Sequence, residues 1–529
     1  MDSRIGFLTH EIPDHVGCDS AMTIVVDDPN LSFVLDVHDI SLLDEDENLT
    51  GGRPFSMTRK QSKRADSKKA EAQPAPARKL ESRVEAFRQL ADAYANGACV
   101  MLPDALSGQA RHLHVRATLQ EDHQTRIEER SSGASEKFDK LAGSVFSFFR
   151  GTALLFYRDM AGTDAHMPTV LVLGDVHPEN FGVMPNADNV PIFNVNDFDE
   201  ACYAPFSWDL KRGSVGFMLA AEEVAGFGHK RQRKIVKRFL AGYMSNMRRL
   251  AESSTEKAEE YRIDNSPKVI RRLFKQAHQS REEWLWDDYL DESGKGFRSS
   301  KKLTPISHRR DEFQKLVEAL VNKGSAKPPA RAGNLAVKDV AIRHGQGTAS
   351  LGLPRYYVLI EGPSQNATDD IIIEFKRARD SALSGLVPRN EFSSGARGVR
   401  IAHGQSVQLA HGDVFYGSSE IDGVSFMTRE RAPFRDDIDL ESLSKKSWGE
   451  YAEVCGCALA LAHARSDDAG EIDYDVEPRI LDAINPSKLF ARDILNFAQE
   501  AAERLRGDHA YFCADHKRGA FRNIEMVYR

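Results

Sequence analysis

Missing from this 529-residue sequence is any apolar run approaching the roughly 20 residues that a membrane-spanning helix requires, which argues against a membrane partner. Cysteine is scarce: six residues, at 18, 99, 202, 455, 457 and 513, are scattered along the chain. Cys455 and Cys457 form a CxC inside an apolar helical pattern rather than a zinc-knuckle spacing, so buried free thiols and a cytoplasmic setting are expected. A basic excess is lacking too; the net charge is -8, and nucleic-acid binding by the whole chain is not expected. The opening MDSRIGFLTHEIPDHVG has no basic region leading into an apolar one, so no secretion signal is expected. The four tryptophans form no stripe and read as packing or surface residues.

What is present is an ordinary globular composition, 41% hydrophobic and 28% charged, long enough for two or more lobes around a substantial core. Residues 1–82 differ from the rest. Asp27 to Glu47 holds eight acids and no Lys or Arg, and Arg53 to Lys79 is rich in Lys and Arg around AEAQPAPARK, the pattern of a mobile charged tail. Helical periodicity begins near Val84. Strands are expected in PTVLVLGD and VPIFNVNDFD, then helices from about Trp208 to Leu219 and Arg231 to Leu250. Residues 253–332 read as accessory helices. LAVKDVAIR, RYYVLIEG and DIIIEFKRA read as further strands, followed by a helix around Arg400 to Ala410, a hairpin through DGVSFMTRERAP, and C-terminal helices. The expected organisation is a charged tail (1–82), a helical lobe (83–332), a small β-rich lobe (333–435) and returning helices (436–529).

Two acidic turns carry the chemistry. In LVLGDVHPENFG, Gly174 permits a sharp exit from a strand, leaving Asp175 at its end, His177 in the turn and Asn180 five residues beyond Asp175. A carboxylate placed there can accept a proton from an attacking hydroxyl, and an amide oxygen can ligate a hard cation such as Mg²⁺. FNVNDFDEA ends a second strand in Asp197 and Asp199. A strand–turn–strand unit brings Asp197 near Asn180, so that one metal is shared and its bridged phosphates lie beside Asp175.

GDVHPEN resembles the GDxHxxN loop of aminoglycoside and choline phosphotransferases and the catalytic loop of protein kinases, and NDFDEA resembles their metal-binding turn. The resemblance implies that Asp175 is the catalytic base, that His177 meets the transferred phosphate, and that Asn180 and Asp197 are metal ligands, with Asp199 as an extra one. It also implies that Asp209, in APFSWDLKR, braces the catalytic loop. HGQGTASLGLPRYYVLIEG, with Gly345, Gly347 and Gly352, resembles a phosphate-cradling glycine loop, and Lys376 in DIIIEFKRA resembles the lysine that meets the α- and β-phosphates. FMTRERAPF resembles the strand entering the adenine-binding hinge, and YAEVCGCALALAHAR the helix that normally precedes the catalytic loop.

More narrowly, FSFFRGTALLFYRDM, GDVHPENFG, NDFDEACYAPFSWDLKR, GQGTASLGLPRYYVLIEG, EFKRA and YAEVCGCALALAHAR resemble the bacterial family of domain of unknown function 2252, from about residue 85 onward. The resemblance implies an α+β, two-lobed, kinase-like fold. Because the catalytic loop precedes the glycine loop and lysine strand, the fold is expected to be circularly permuted. The expected activity is ATP- and Mg²⁺-dependent phosphoryl transfer to an unassigned acceptor, with His177 favouring a small molecule. A pseudoenzyme or nucleotide-binding scaffold is the alternative, and nucleotidyl transfer a lesser one. A metallophosphoesterase would need GDxxDR and GNHE clusters, which are absent. Four departures stand out: Leu173 occupies the usual loop-histidine position, Asp199 replaces a glycine, RGVRIAHGQSVQLA offers no carboxylate to Lys376, and His403 stands where relatives carry glutamate. Glu391 is the substitute partner considered. Arg150 reads equally as a phosphate contact or an inter-lobe salt bridge; the His463–Arg465 pair reads as a phosphate or substrate contact, with a satisfied helix-end histidine the preferred reading of His463.

Overall fold

The computed structural model describes residues 82–129, 131–322, 326, 328–344, 354–364, 366–387, 396–409, 415–468 and 471–521. The chain divides into two units, Met1–Pro74 and Ala75–Arg529, and every described residue lies in the second. The expected charged tail therefore falls outside the described residues, Ser82 apart.

The chain is a mixed α+β protein. It opens with α1 (Val84–Ala95), α2 (Gly108–Glu129), α3 (Ser131–Ala142), α4 (Val145–Gly151) and α5 (Ala153–Arg158). Four short strands follow: β1 (Thr169–Val172), β2 (Phe181–Pro185), β3 (Pro191–Val195) and β4 (Cys202–Pro205). Helices α6 (Phe206–Glu223), α7 (His229–Ser253), α8 (Lys268–Gln276) and α9 (Arg281–Asp288) lead to β5 (Leu303–Pro305) and α10 (Arg310–Asn322). Next come β6 (Val337–Arg343), β7 (Arg355–Ile360), β8 (Ile371–Arg377), α11 (Arg397–Gln408), β9 (Gly417–Ile421), β10 (Val424–Arg431) and β11 (Asp436–Asp437). Helices α12 (Lys445–Ala464), α13 (Val476–Ala483) and α14 (Ser487–Lys517) close the chain.

Among the described residues, three antiparallel sheets result: β1 with β4; β11-β2-β3; and a six-stranded sheet in the order β5-β6-β7-β8-β10-β9. The largest core gathers α4–α7, α12 and α14 around the two small sheets. A second core lies between α10 and one face of the large sheet, where Ile371, Ile373 and Phe375 of β8 meet Phe313 and Val317. A third lies on the opposite face, where Trp284, Leu285, Tyr289 and Leu290 cover Tyr357, Leu359 and Ile372. Strand alternation explains this division, since successive β8 side chains point to opposite faces.

The expected helices are present and extend beyond their sequence-based limits, starting at Phe206 and His229 rather than Trp208 and Arg231. The 253–332 segment is less uniformly helical than expected, because β5 adds an edge strand to the large sheet. Ser280 and Glu283 form a capping box that starts α9. Helix α12 is apolar almost all round, as an interior helix must be. It crosses α7 closely at Gly456 and Gly242, where an added Cβ would come within 2.1 Å of the Phe239 and Glu453 carbonyl oxygens, respectively. Cys455 is buried and Cys457 Sγ donates to the Gly242 carbonyl at 3.4 Å, so the CxC is packing. The described cysteines are all free thiols. Among the described residues, no helix is long and apolar enough to cross a membrane.

Candidate active site

The first acidic turn is held from behind. Gly174 adopts a φ of +79°, and a Cβ there would lie 2.5 Å from the Glu200 carbonyl oxygen, so both conformation and space demand glycine. Asp209, in the first turn of α6 and fully buried, accepts hydrogen bonds from Leu173 N at 2.7 Å and Gly174 N at 2.9 Å. His463 Nε2 reaches the same carboxylate at 3.0 Å, and its Nδ1 meets the Tyr243 hydroxyl at 2.9 Å. The bracing role expected of Asp209 and the satisfied state expected of His463 are both present. Tyr451 of α12 donates to the Pro178 carbonyl at 2.5 Å, fixing the far side of the turn.

Asp175 is 8% exposed, and its Oδ1 accepts from Arg212 Nε at 2.9 Å and Nη2 at 2.6 Å. Burial pushes the Asp175 carboxyl above its ordinary value, and Arg212 opposes the rise. Its Oδ2 faces His177 Nε2 at 3.8 Å. His177 is 2% exposed and its Nδ1 accepts from Glu179 N at 3.2 Å, which leaves the proton on Nε2. Burial, then Arg150 and Arg212, hold this imidazole well below its usual pKa, so it is neutral. Asn180 Nδ2 donates to the Asp175 carbonyl at 2.7 Å, turning the amide oxygen toward other partners. Arg150 forms a salt bridge with Glu179 of the first acidic turn.

The second turn is joined to the first by Asn196 N, which donates to the Asn180 carbonyl at 3.1 Å. Lys376 Nζ lies 2.6 Å from Asp199 Oδ2 and 3.5 Å from Asp197 Oδ1. Burial acts to raise the Asp197 carboxyl, but Lys376 and Arg429 outweigh it and the net direction is downward. The missing glutamate partner of Lys376 is thus replaced by the acidic turn itself. His403 bonds the Tyr203 hydroxyl at 2.7 Å instead. Helix α11 still touches the turn through Arg400, which donates to the carbonyls of Asp199 at 2.7 Å and Ala201 at 2.6 Å.

The structure therefore brings Asp175, His177 and Asn180 together in one turn, and sets Lys376 of β8 against Asp197 and Asp199 in the turn beside it. Gly345, Gly347, Gly352 and Glu391 lie outside the described residues. Asn180, Asp197 and Asp199 offer oxygen ligands from two joined turns, and a lysine ammonium sits against the carboxylates where a cation would be held. That donor set fits a hard ion such as Mg²⁺. A separate acidic group, Asp467, Asp475 and Glu477, has ligand atoms all within 4.8 Å of one another. It lies past the end of α12, and the sequence reading did not single it out. Two arginines that bond to the turns were also missed. Arg212 follows Asp209 by three residues, a spacing that puts both on one helix face and could have revealed it. Arg400 had no sequence signal beyond its helix.

The sequence profile of a family described as uncharacterized proteins conserved in bacteria, DUF2252, matches residues 131–515. The chain belongs to the DUF2252 family. The match takes in both acidic turns, Lys376, α11 and α12, so the site of this DUF2252 protein lies wholly within the family region. No curated protein and no solved structure matches the chain.

Proposed function

We propose that this DUF2252 protein is an ATP- and Mg²⁺-dependent phosphotransferase of kinase-like fold, acting on a small-molecule acceptor. The observation that carries the reading is the pairing of a braced Asp175–Asn180 turn with an acidic turn, Asp197 and Asp199, that engages Lys376. The circularly permuted arrangement draws support from chain order. Strands β6, β7 and β8, helix α11, then β9 and β10 follow the catalytic turn, and α12 comes last behind it.

In this reading Arg212 fixes Oδ1 of Asp175, and Oδ2 receives the proton of the acceptor hydroxyl. The acceptor oxygen forms its bond to the γ-phosphorus as the bond to the bridging oxygen breaks, and ADP leaves. Asn180, Asp197 and Asp199 would hold Mg²⁺, which supplies charge neutralisation for the phosphates. The raised pKa of Asp175 suits a base, and neutral His177 faces its Oδ2 at 3.8 Å. Lys376 exchanges its carboxylate partner for phosphate.

A nucleotide-binding scaffold is favoured by one specific feature: Asp175 and Lys376 are already neutralised by protein groups. Asp175→Asn separates the readings. The phosphotransferase reading predicts a fall in transfer of about 10²–10⁴-fold, with nucleotide affinity within about threefold of wild type. Nucleotide binding without ADP release from the wild-type protein, over a broad panel of hydroxyl acceptors, would leave the scaffold. Release of AMP-linked product and pyrophosphate would instead identify nucleotidyl transfer.

A further inference from the structure

Helices α7 and α12, which pack side by side, both begin against their own dipoles. A helix start favours acids, because its free N–H groups carry partial positive charge. Over its first ten residues α7 instead holds Lys230, Arg231, Arg233, Lys234, Lys237 and Arg238, and no acid. Helix α12 opens on Lys445 and Lys446, again with no acid in its first turn. Neither choice stabilises its own helix.

Between the two starts lies a groove of about 400 Å³, the size of a small-molecule site. Helix α7 lines it with Arg231, Lys234 and Arg238, and α12 with Lys445 and Lys446; Glu450 is the only carboxylate among the described residues of its wall. Compensation is partial. Lys446 lies 3.5 Å from Glu450, and Arg238 pairs with Glu453 farther along α12. Arg231 Nη1 donates to the Lys445 carbonyl at 3.3 Å, a bond that leaves its charge unmet. No carboxylate of the described residues comes within ion-pair distance of Arg231, Lys234 or Lys445. Three cations without a counter-charge therefore share one recess, an arrangement that repels itself until an anion enters.

We infer that this groove binds a small anion carrying two or more phosphate groups. A single phosphate meets one or two of the cations, whereas linked phosphates span from α7 to α12 and meet all three. Arginine forks the oxygens of a phosphate, and lysine neutralises it as a point charge. The recess selects a free compound over a membrane, whose flat surface would reach only the rim. The inference does not draw on the phosphotransferase reading. Glu450 precedes Tyr451, which holds the Pro178 carbonyl, so an occupant rests on the helix turn that fixes the first acidic turn.

The test is calorimetric titration of the full chain with inorganic tripolyphosphate in EDTA, which keeps a metal-dependent nucleotide site out of the measurement. Wild type is compared with the double variant Lys234→Gln/Lys445→Gln and with Lys315→Gln, an exposed lysine of α10. The expected result is one site per chain, weakened about tenfold or more in the double variant and within about twofold of wild type in Lys315→Gln. Because glutamine removes cations from two helix starts, the ligand-free Tm of the double variant is expected to equal or exceed that of wild type. No binding by folded wild type, equal weakening by Lys315→Gln, or unchanged affinity in the double variant would each overturn the inference. A lower Tm in the double variant would also overturn it, by assigning the lysines to the fold. So would capture of wild type by phosphatidylserine vesicles without tripolyphosphate binding, which would make the surface a membrane contact. All of these outcomes leave the phosphotransferase reading intact.

Discussion

The two sides of the site are built in opposite ways. On the helical side, the turn carrying Asp175 is held by hydrogen bonds between Asp209 and two backbone amides and His463, between Asn180 and the Asp175 carbonyl and between Tyr451 and Pro178, while Arg212 Nη1 and Arg150 Nε are buried without a partner. On the sheet side, charge is dense, and Lys376, Arg355 and Arg429 are each paired with a carboxylate. The first arrangement fixes geometry; the second leaves attraction available for a ligand. A satisfied buried network is costly to disturb, whereas exchangeable ion pairs can trade partners. In the proposed reading, this difference gives positioning to one side and ligand capture to the other.

The comparison breaks most severely at Asp209. Asp209→Ala strips acceptors from Leu173 N, Gly174 N and His463 in a site closed to water, and is expected to lower stability by about 3–5 kcal/mol. Thermal or urea denaturation reads it directly; a loss below about 1 kcal/mol would show that the turn does not depend on this brace. A subtler probe is Glu200, which joins the two sides. Its side chain accepts from Ala382 N past β8, while its carbonyl accepts from Ser381 Oγ at 2.8 Å. Burial, opposed by Arg379, pushes its carboxyl up to about 7 from an ordinary 4.5. The folded chain therefore holds a proton on Glu200 that the unfolded chain has released, so this group's contribution to stability falls as pH rises from about 4.5 to about 7. Glu200→Gln keeps an acceptor for Ala382 N and should flatten that part of the stability–pH curve. Identical slopes for wild type and variant would contradict the assignment.

Much of the site was legible because its chemistry sits in contiguous turns. GDVHPEN and NDFDEA each follow a short strand, and the β2–β3 hairpin between them makes the encounter of Asn180 with the second turn nearly unavoidable. Lys376 was legible for a similar reason, as a charged residue in an otherwise apolar strand. Its partner was not. Lys376 and Asp199 are far apart in the chain, and Asp199, read as replacing a glycine in the acidic turn, was not read as the partner of the lysine. The role of residues 253–332 emerged in the same way: α9 covers the sheet face that sequence alone left open.

The central claim, that the two acidic turns and Lys376 form a metal-dependent nucleotide site, is tested most directly by thermal denaturation with ATP and Mg²⁺ for wild type and Asp197→Ala. Ligand at 100 times its dissociation constant adds about 2.7 kcal/mol of stability. The predicted result is a rise in Tm that needs both ATP and Mg²⁺ and disappears in Asp197→Ala. No shift in wild type across a wide nucleotide range, or an equal shift in Asp197→Ala, would contradict it.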